Sequence, residues 1–149
     1  MELILWRHAE AEQGGSDDTR ALTPAGRQQA AAMAAWLKPR LPATARVLTS
    51  PALRARQTAQ ALTDAAAVSP QLAYPAPGIT AATILEAAGW PRGEGVVVVV
   101  GHQPVLGQAA ALALTGREAP WAIPPGGLWW LASGAEPPRV RAVLSPELL

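Results

Sequence analysis

The chain holds two histidines, His8 and His102, and each stands just past an apolar run. Leu3-Ile4-Leu5-Trp6 and Arg7 precede the first; Val96 to Val100 and Gly101 precede the second. A third polar residue, Arg54, follows the shorter run Val47-Leu48-Thr49 and the pair Ser50-Pro51. If these places converge, two imidazoles and the guanidiniums of Arg7 and Arg54 share one small, positive volume. Forked guanidinium N–H donors and helix N-termini there would suit a phosphate group. Arg7, His8, Arg54 and His102 are therefore the candidate site, with Arg7, Arg54 and Gln103 as candidate substrate contacts.

Such a meeting requires the three apolar runs to be neighbouring strands that point the same way. The five consecutive valines are too β-branched for a comfortable helix and are apolar on both faces, as in a covered parallel strand. Helical patterns lie between the runs. Thr23-Pro24 opens one that passes Met33 and Trp36-Leu37 and stops before Pro39. Ser50-Pro51 opens a second, reaching Ala66, and Gln103-Pro104 a third, ending at Gly116. A further helix is expected over Ala81 to Ala88, after a proline-rich surface stretch from Ser69 to Gly78. Two strands, Leu128 to Ala132 and Arg139 to Leu144, joined by a Gly/Pro-rich turn, would close the chain. Strand and helix alternate, so an α/β layered fold is expected. In such sheets ligands bind outside the carboxyl ends of the strands, where both histidines sit.

Composition narrows the function classes. The 149 residues bring 12 Lys+Arg against 11 Asp+Glu, a formal charge of +1. The positive residues are spread singly rather than in a stripe, which argues against a nucleic-acid partner. With half the residues hydrophobic and 15% charged, the chain is not expected to be disordered. Zero cysteines exclude a thiolate nucleophile and a Cys-ligated zinc. Four apolar residues before Arg7 are too few for a signal-peptide core, and no stretch approaches a membrane span. A cytoplasmic location, one domain over residues 1–149 and no membrane partner are the expectation.

Four segments together resemble a known family. They are Arg7-His8-Ala9-Glu10-Ala11, Leu22-Thr23-Pro24-Ala25-Gly26, Ser50 to Ala59 and Val100-Gly101-His102-Gln103-Pro104. With the stretch from Ser16-Asp17 to Arg20, they resemble the histidine phosphatase superfamily, in its short branch of phosphohistidine phosphatases. The resemblance implies a three-layer α/β/α fold, phosphoglycerate-mutase-like, with a mostly parallel central sheet. It makes His8 the nucleophile, with Arg7, Arg54 and His102 forming the phosphate pocket. Two departures stand out. Ala9 replaces the glycine usual after Arg-His, and residues 71–80 lack the acidic proton donor of the larger mutases and phosphomonoesterases.

The chemistry is coherent on physical grounds. Adjacent guanidinium charges disfavour the imidazolium and keep His8 neutral and nucleophilic. His102 and nearby amides can take up charge that shifts during transfer. No metal or cofactor is needed, and no HExxH-type motif is present. The expected partner is a phosphohistidine-bearing protein, since an imidazole leaves readily without a strong acid. Two alternatives remain open. One is a phosphomonoesterase for a small metabolite, with Glu10, Asp17 or Asp18 supplying the proton. The other is a phosphate- or phosphopeptide-binding module without turnover.

Overall fold

Alternate residues of one strand face opposite ways, and a run that is apolar throughout must be covered on both sides. The first strand, β1 (Glu2–Arg7), and the valine strand, β4 (Val96–Gly101), both behave this way in the computed structural model, which describes residues 1–134 and 137–149. All six residues of β4 are buried. Leu3, Leu5, Val97 and Val99 point into one core; Ile4, Trp6, Val98 and Val100 point into the other.

The remaining elements are β2 (Arg46–Thr49), β3 (Ala67–Val68), β5 (Leu128–Ala132) and β6 (Arg139–Leu144), with helices α1 (Pro24–Leu37), α2 (Leu53–Leu62), α3 (Ala81–Ala88) and α4 (Val105–Thr115). Six strands form one sheet in the order β3-β2-β4-β1-β5-β6. The pairs β3/β2, β2/β4 and β4/β1 are parallel, whereas β5 runs antiparallel to both β1 and β6. Helices α3 and α4 cover one face through Ile84, Leu85, Leu106 and Ala110. Helices α1 and α2 cover the other through Met33, Leu37, Ala55 and Ala59. The architecture is thus three-layer α/β/α with a mostly parallel sheet. No helix among the described residues is long and apolar enough to cross a membrane.

Helix starts show where local rules held and where they yielded. Thr23 caps α1 by accepting from the Gly26 N–H at 2.9 Å, and Pro24 is its first residue, as expected. Thr80 caps α3 in a reciprocal pair with Thr83. Ser50-Pro51, by contrast, does not open α2. The Ser50 N–H extends the sheet by donating to Val100 O at 3.0 Å, so the helix waits until Leu53. It also ends at Leu62 rather than Ala66, because Thr63 turns extended and leads into β3. Likewise Pro104 is the cap of α4 rather than its first residue. The two terminal strands form at their expected limits; the turn expected between them falls in part on residues 135 and 136, which lie outside the described residues.

Candidate active site

The parallel register of β1 and β4 pairs Arg7 with Gly101, so the next residues, His8 and His102, leave the sheet side by side. The His8 N–H donates to Gly101 O at 3.0 Å, and the two ring centroids lie 5.3 Å apart. One strand further along, β2 delivers Ser50 to the same edge. The neighbouring order β2-β4-β1 therefore becomes a row of side chains, Ser50, His102, His8. Arg54, the second residue of α2, reaches across this row.

Its guanidinium serves both rings. Arg54 Nε donates to His8 Nε2 at 3.3 Å, and Nη2 lies 3.2 Å from His102 Nδ1. These contacts assign the ring protons, because a nitrogen facing a guanidinium N–H must accept. His8 then carries its proton on Nδ1, which donates to Ala9 O at 2.7 Å. His102 carries its proton on Nε2, which donates to Ser50 Oγ at 2.7 Å. His8, Arg54 and His102 are all buried. Burial first, then the positive charges of Arg54, Arg7 and Arg20, pull His8 down to about 4, although its bond to Ala9 opposes this. Burial and Arg54 pull His102 down to about 3. Both rings are therefore neutral at pH 7, with the His8 Nε2 lone pair directed at the arginine.

Neighbouring groups lock this arrangement. Thr58, four residues after Arg54 on the same face of α2, accepts the Ala9 N–H at 3.0 Å and donates to Arg54 O at 2.8 Å. Gly26 lies against the Glu10 backbone, and a Cβ there would collide with the Glu10 carbonyl oxygen. Helix α1 can thus pass directly over the loop that carries His8. Arg7 donates from Nη1 to Ile123 O at 2.8 Å, while its Nε is buried without a partner. Burial lowers the Arg7 pKa, yet a guanidinium in a protein keeps its proton.

His8, His102 and Arg54 form the floor of a cleft of about 470 Å³. Asp17, Arg20, Glu10, Tyr74 and Pro75 contribute to its walls, as does Gln103. Arg54 donates to both the carbonyl and the carboxylate of Asp17, the latter at 3.2 Å, and Arg20 pairs with the other carboxylate oxygen at 3.1 Å. Desolvation pushes the Asp17 carboxyl up, but the hydrogen bonds and charges of these two arginines outweigh it and hold the group below its usual range. Glu10 accepts from Thr23 Oγ1 at 2.6 Å. Asp18 stays outside the lining. Gln103 reaches the cleft, but its amide donates to Trp121 O at 2.9 Å and accepts from the Gly107 N–H at 2.6 Å. That side chain anchors the first turn of α4 and has little left for a ligand. Arg7, His8, Arg54 and His102 do meet at one place. Ser50, Thr58 and Arg20 join them; the sequence carried them only inside the segments Ser50 to Ala59 and Ser16-Asp17 to Arg20, with Ser50 expected as a helix start rather than a site residue.

Comparison with known proteins agrees with this geometry. The family model of the histidine phosphatase superfamily (branch 1) matches residues 3–73. Phosphohistidine phosphatase SixA of Escherichia coli (strain K12) is 32% identical over 127 residues, which cover 80% of this chain and 78% of that protein. The chain belongs to the histidine phosphatase superfamily. It is accordingly an enzyme, a phosphatase. A structure of the protein histidine phosphatase SixA complexed with tungstate superposes with a TM-score of 0.78 at 27% identity, covering 99% of each chain. A phosphoserine phosphatase mutant from Entamoeba histolytica in complex with phosphoserine superposes with a TM-score of 0.72, covering 99% of this chain and 98% of that one. At 19% identity this second likeness concerns the fold alone.

Within this histidine phosphatase the cleft can do three things. It offers a neutral ring nitrogen, it faces that nitrogen with the Arg54 guanidinium and lines the space beside it with Arg7 and Arg20, and it leaves one side open to solvent. Among the described residues no three His, Cys, Asp or Glu side chains gather as a metal-ligand set.

Proposed function

We propose that the enzyme hydrolyses phosphohistidine carried on another protein, by way of a phosphohistidine formed on His8 Nε2. One observation carries this reading: the hydrogen-bonded row in which Ala9 O holds the Nδ1 proton and leaves the Nε2 lone pair facing Arg54 at the cleft floor. When a phosphoryl group arrives, its oxygens take over the donors of Arg54 and Arg7, and Nε2 is released for in-line attack. A bond forms between Nε2 and phosphorus as the bond to the substrate imidazole breaks. The reacting form of the substrate is the phosphoimidazolium, protonated on its other ring nitrogen, so the imidazole departs as a neutral ring and needs no acid at the breaking bond. Water then attacks the phosphorus, one of its protons passes to a phosphate oxygen, and His8 leaves as the same neutral tautomer. Guanidinium donors and the His102–Ser50 pair stabilise the charge as it shifts, from positions already fixed before reaction.

The protein-borne substrate is supported by the cleft's carboxylates and by kinship with the phosphohistidine phosphatase SixA. Asp17 is held ionised by two arginines and is a poor proton donor. An ester substrate would need such a donor for its alkoxide. The test compares kcat/KM on a phosphohistidine-bearing protein domain with that on a panel of phosphate monoesters under identical conditions. The phosphoprotein should be turned over fastest. Faster turnover of any small ester would overturn the substrate while leaving the His8 chemistry intact.

A further inference from the structure

Four of the five Arg54 N–H donors are engaged before any substrate arrives, and two of these are held by Asp17. Nη1 donates to the Asp17 carbonyl oxygen, Nη2 donates to its carboxylate at 3.2 Å, and Arg20 grips the second carboxylate oxygen at 3.1 Å. A carboxylate spanning two guanidiniums is the arrangement a phosphoryl group would adopt on the same arginines, with charge-assisted bonds of similar geometry. Asp17 stands on a short 3-10 turn, Asp17–Thr19, and its side chain is 54% exposed. It can therefore swing into solvent without opening a core.

We infer that the Asp17 carboxylate is an intramolecular competitor for the oxyanion seat on Arg54 and Arg20, and that its exchange with phosphate sets how loosely free phosphate is held. The inference rests on the phosphate site proposed above and adds a residue that tunes it. On arrival, the phosphoryl oxygens displace the carboxylate and, by drawing Arg54 away from His8, unmask Nε2. After hydrolysis the carboxylate returns, and its charge repels orthophosphate from the seat. Like charges that close to one another are costly even when partly solvated. Asp17 thereby trades ground-state affinity for product release. It acts through Arg54 and Arg20 and forms no bond with phosphorus.

The experiment is equilibrium calorimetry with inorganic phosphate and with tungstate on the wild type, Asp17→Asn and Asp18→Asn. Asp17→Asn should tighten both anions by roughly tenfold, equivalent to about 1.4 kcal/mol. Asp18, whose side chain takes no part in the Arg54 contacts, should change binding less than about twofold under the same screening. Thermal melts confirm folding, and Asp17→Ser serves if the asparagine variant does not fold. Unchanged or weaker binding in the Asp17 variants would show that the residue merely orients Arg54 and would overturn the inference. Equal tightening in Asp18→Asn would overturn it too, as a general field effect. Binding is read without turnover, so failure here is distinguishable from failure of the substrate reading.

Discussion

His8, Arg54 and His102 on the floor of the cleft are 9%, 4% and 3% exposed, whereas Asp17 at the rim keeps 54% of its side chain in solvent. Both places are built from charged and polar groups, and both are hydrogen-bonded. They differ in what water does to those bonds. On the floor, low local dielectric makes each interaction strong and each orphaned partner expensive. At the rim, solvent screens the ion pairs, and an exposed pair contributes about 0–1 kcal/mol. The floor is thus suited to fixed electrostatics and chemistry, the rim to exchange and access. The contrast predicts a steep gradient of mutational effects over a short distance.

The largest effect belongs to His8. His8→Ala should lose turnover entirely. Rapidly quenched wild-type enzyme should carry a phosphoenzyme that is labile in acid and stable in alkali, as a phosphoramidate is, and His8→Ala should carry none. Trapped phosphoserine or phosphothreonine would place the chemistry elsewhere. Next comes Arg54→Ala, which deprives both rings and Asp17 of their common donor. Loss of one preorganised oxyanion donor costs about 2.7–4 kcal/mol, or roughly 10²–10³ in rate. Arg54→Lys should rescue little, because a single ammonium cannot replace a planar fork that serves His8, His102 and Asp17 at once. An unchanged kcat in a folded Arg54→Ala protein would erase the distinction between floor and rim.

The same distinction explains what could be read from the sequence. Strands β1 and β4 are covered on both faces, and a doubly covered strand announces itself as an unbroken apolar run. His8 and His102 were legible because they follow directly from where such strands stop, and Arg54 because it stands in the first turn of the helix after the shorter run Val47-Leu48-Thr49. Strand β3 was not, since Ala67 and Val68 are exposed and are held only by pairing with β2. Ser50 was readable as a helix cap, but its hydroxyl is drawn to His102, a partner 52 residues away. Its backbone N–H also stays in the sheet, paired with Val100 O, and α2 starts only at Leu53. Asp17 and Arg20 showed only as part of a stretch resembling the family, with Asp17 a candidate proton donor; their pairing with Arg54, far along the chain, carried no signal. Gly26 read as part of a helix start, whereas the structure uses its missing Cβ to admit the Glu10 backbone.

A third way to sharpen the comparison is pH. The two floor histidines titrate near 4 and 3 when folded, against about 6.5 when the chain is unfolded. Between these limits the unfolded chain binds more protons than the folded one, so stability rises with pH. The contribution is complete well above pH 6.5 and is lost progressively as pH falls, toward 4 for His8 and toward 3 for His102. From pH 6.5 to 5 the loss should be on the order of 2 kcal/mol per histidine, at about 1.4 kcal/mol per pH unit. Tm measured across that range should therefore fall, and a His8→Asn/His102→Asn double variant should flatten the slope. A flat wild-type profile would mean that the rings are not held neutral. Asp17, its carboxyl pKa depressed, loses its favourable pairing only at lower pH and leaves this window unaffected.

The smallest effect should come from Glu10, which stands in the cleft wall and is exposed. Its carboxylate accepts from Thr23 Oγ1 at 2.6 Å, and its backbone N–H donates to Gln29 Oε1 at 3.0 Å, so it ties the His8 loop to α1. Glu10→Gln keeps the shape, retains an oxygen for Thr23 and removes only the charge. Exposed charge interactions of this kind are worth at most about 1 kcal/mol, so kcat/KM on a phosphohistidine substrate should change by no more than about fivefold. The alternative role, proton donor to a leaving alkoxide, predicts something very different. General acid catalysis contributes about 10²–10⁴-fold, and its loss would be greatest for esters with poor leaving groups. Rates of Glu10→Gln should therefore be plotted against leaving-group pKa for a series of phosphate monoesters. A slope equal to that of the wild type keeps Glu10 as a strut between the His8 loop and α1. A slope that steepens, with the phosphoramidate rate unaffected, would make Glu10 an acid for esters and place chemistry on the rim.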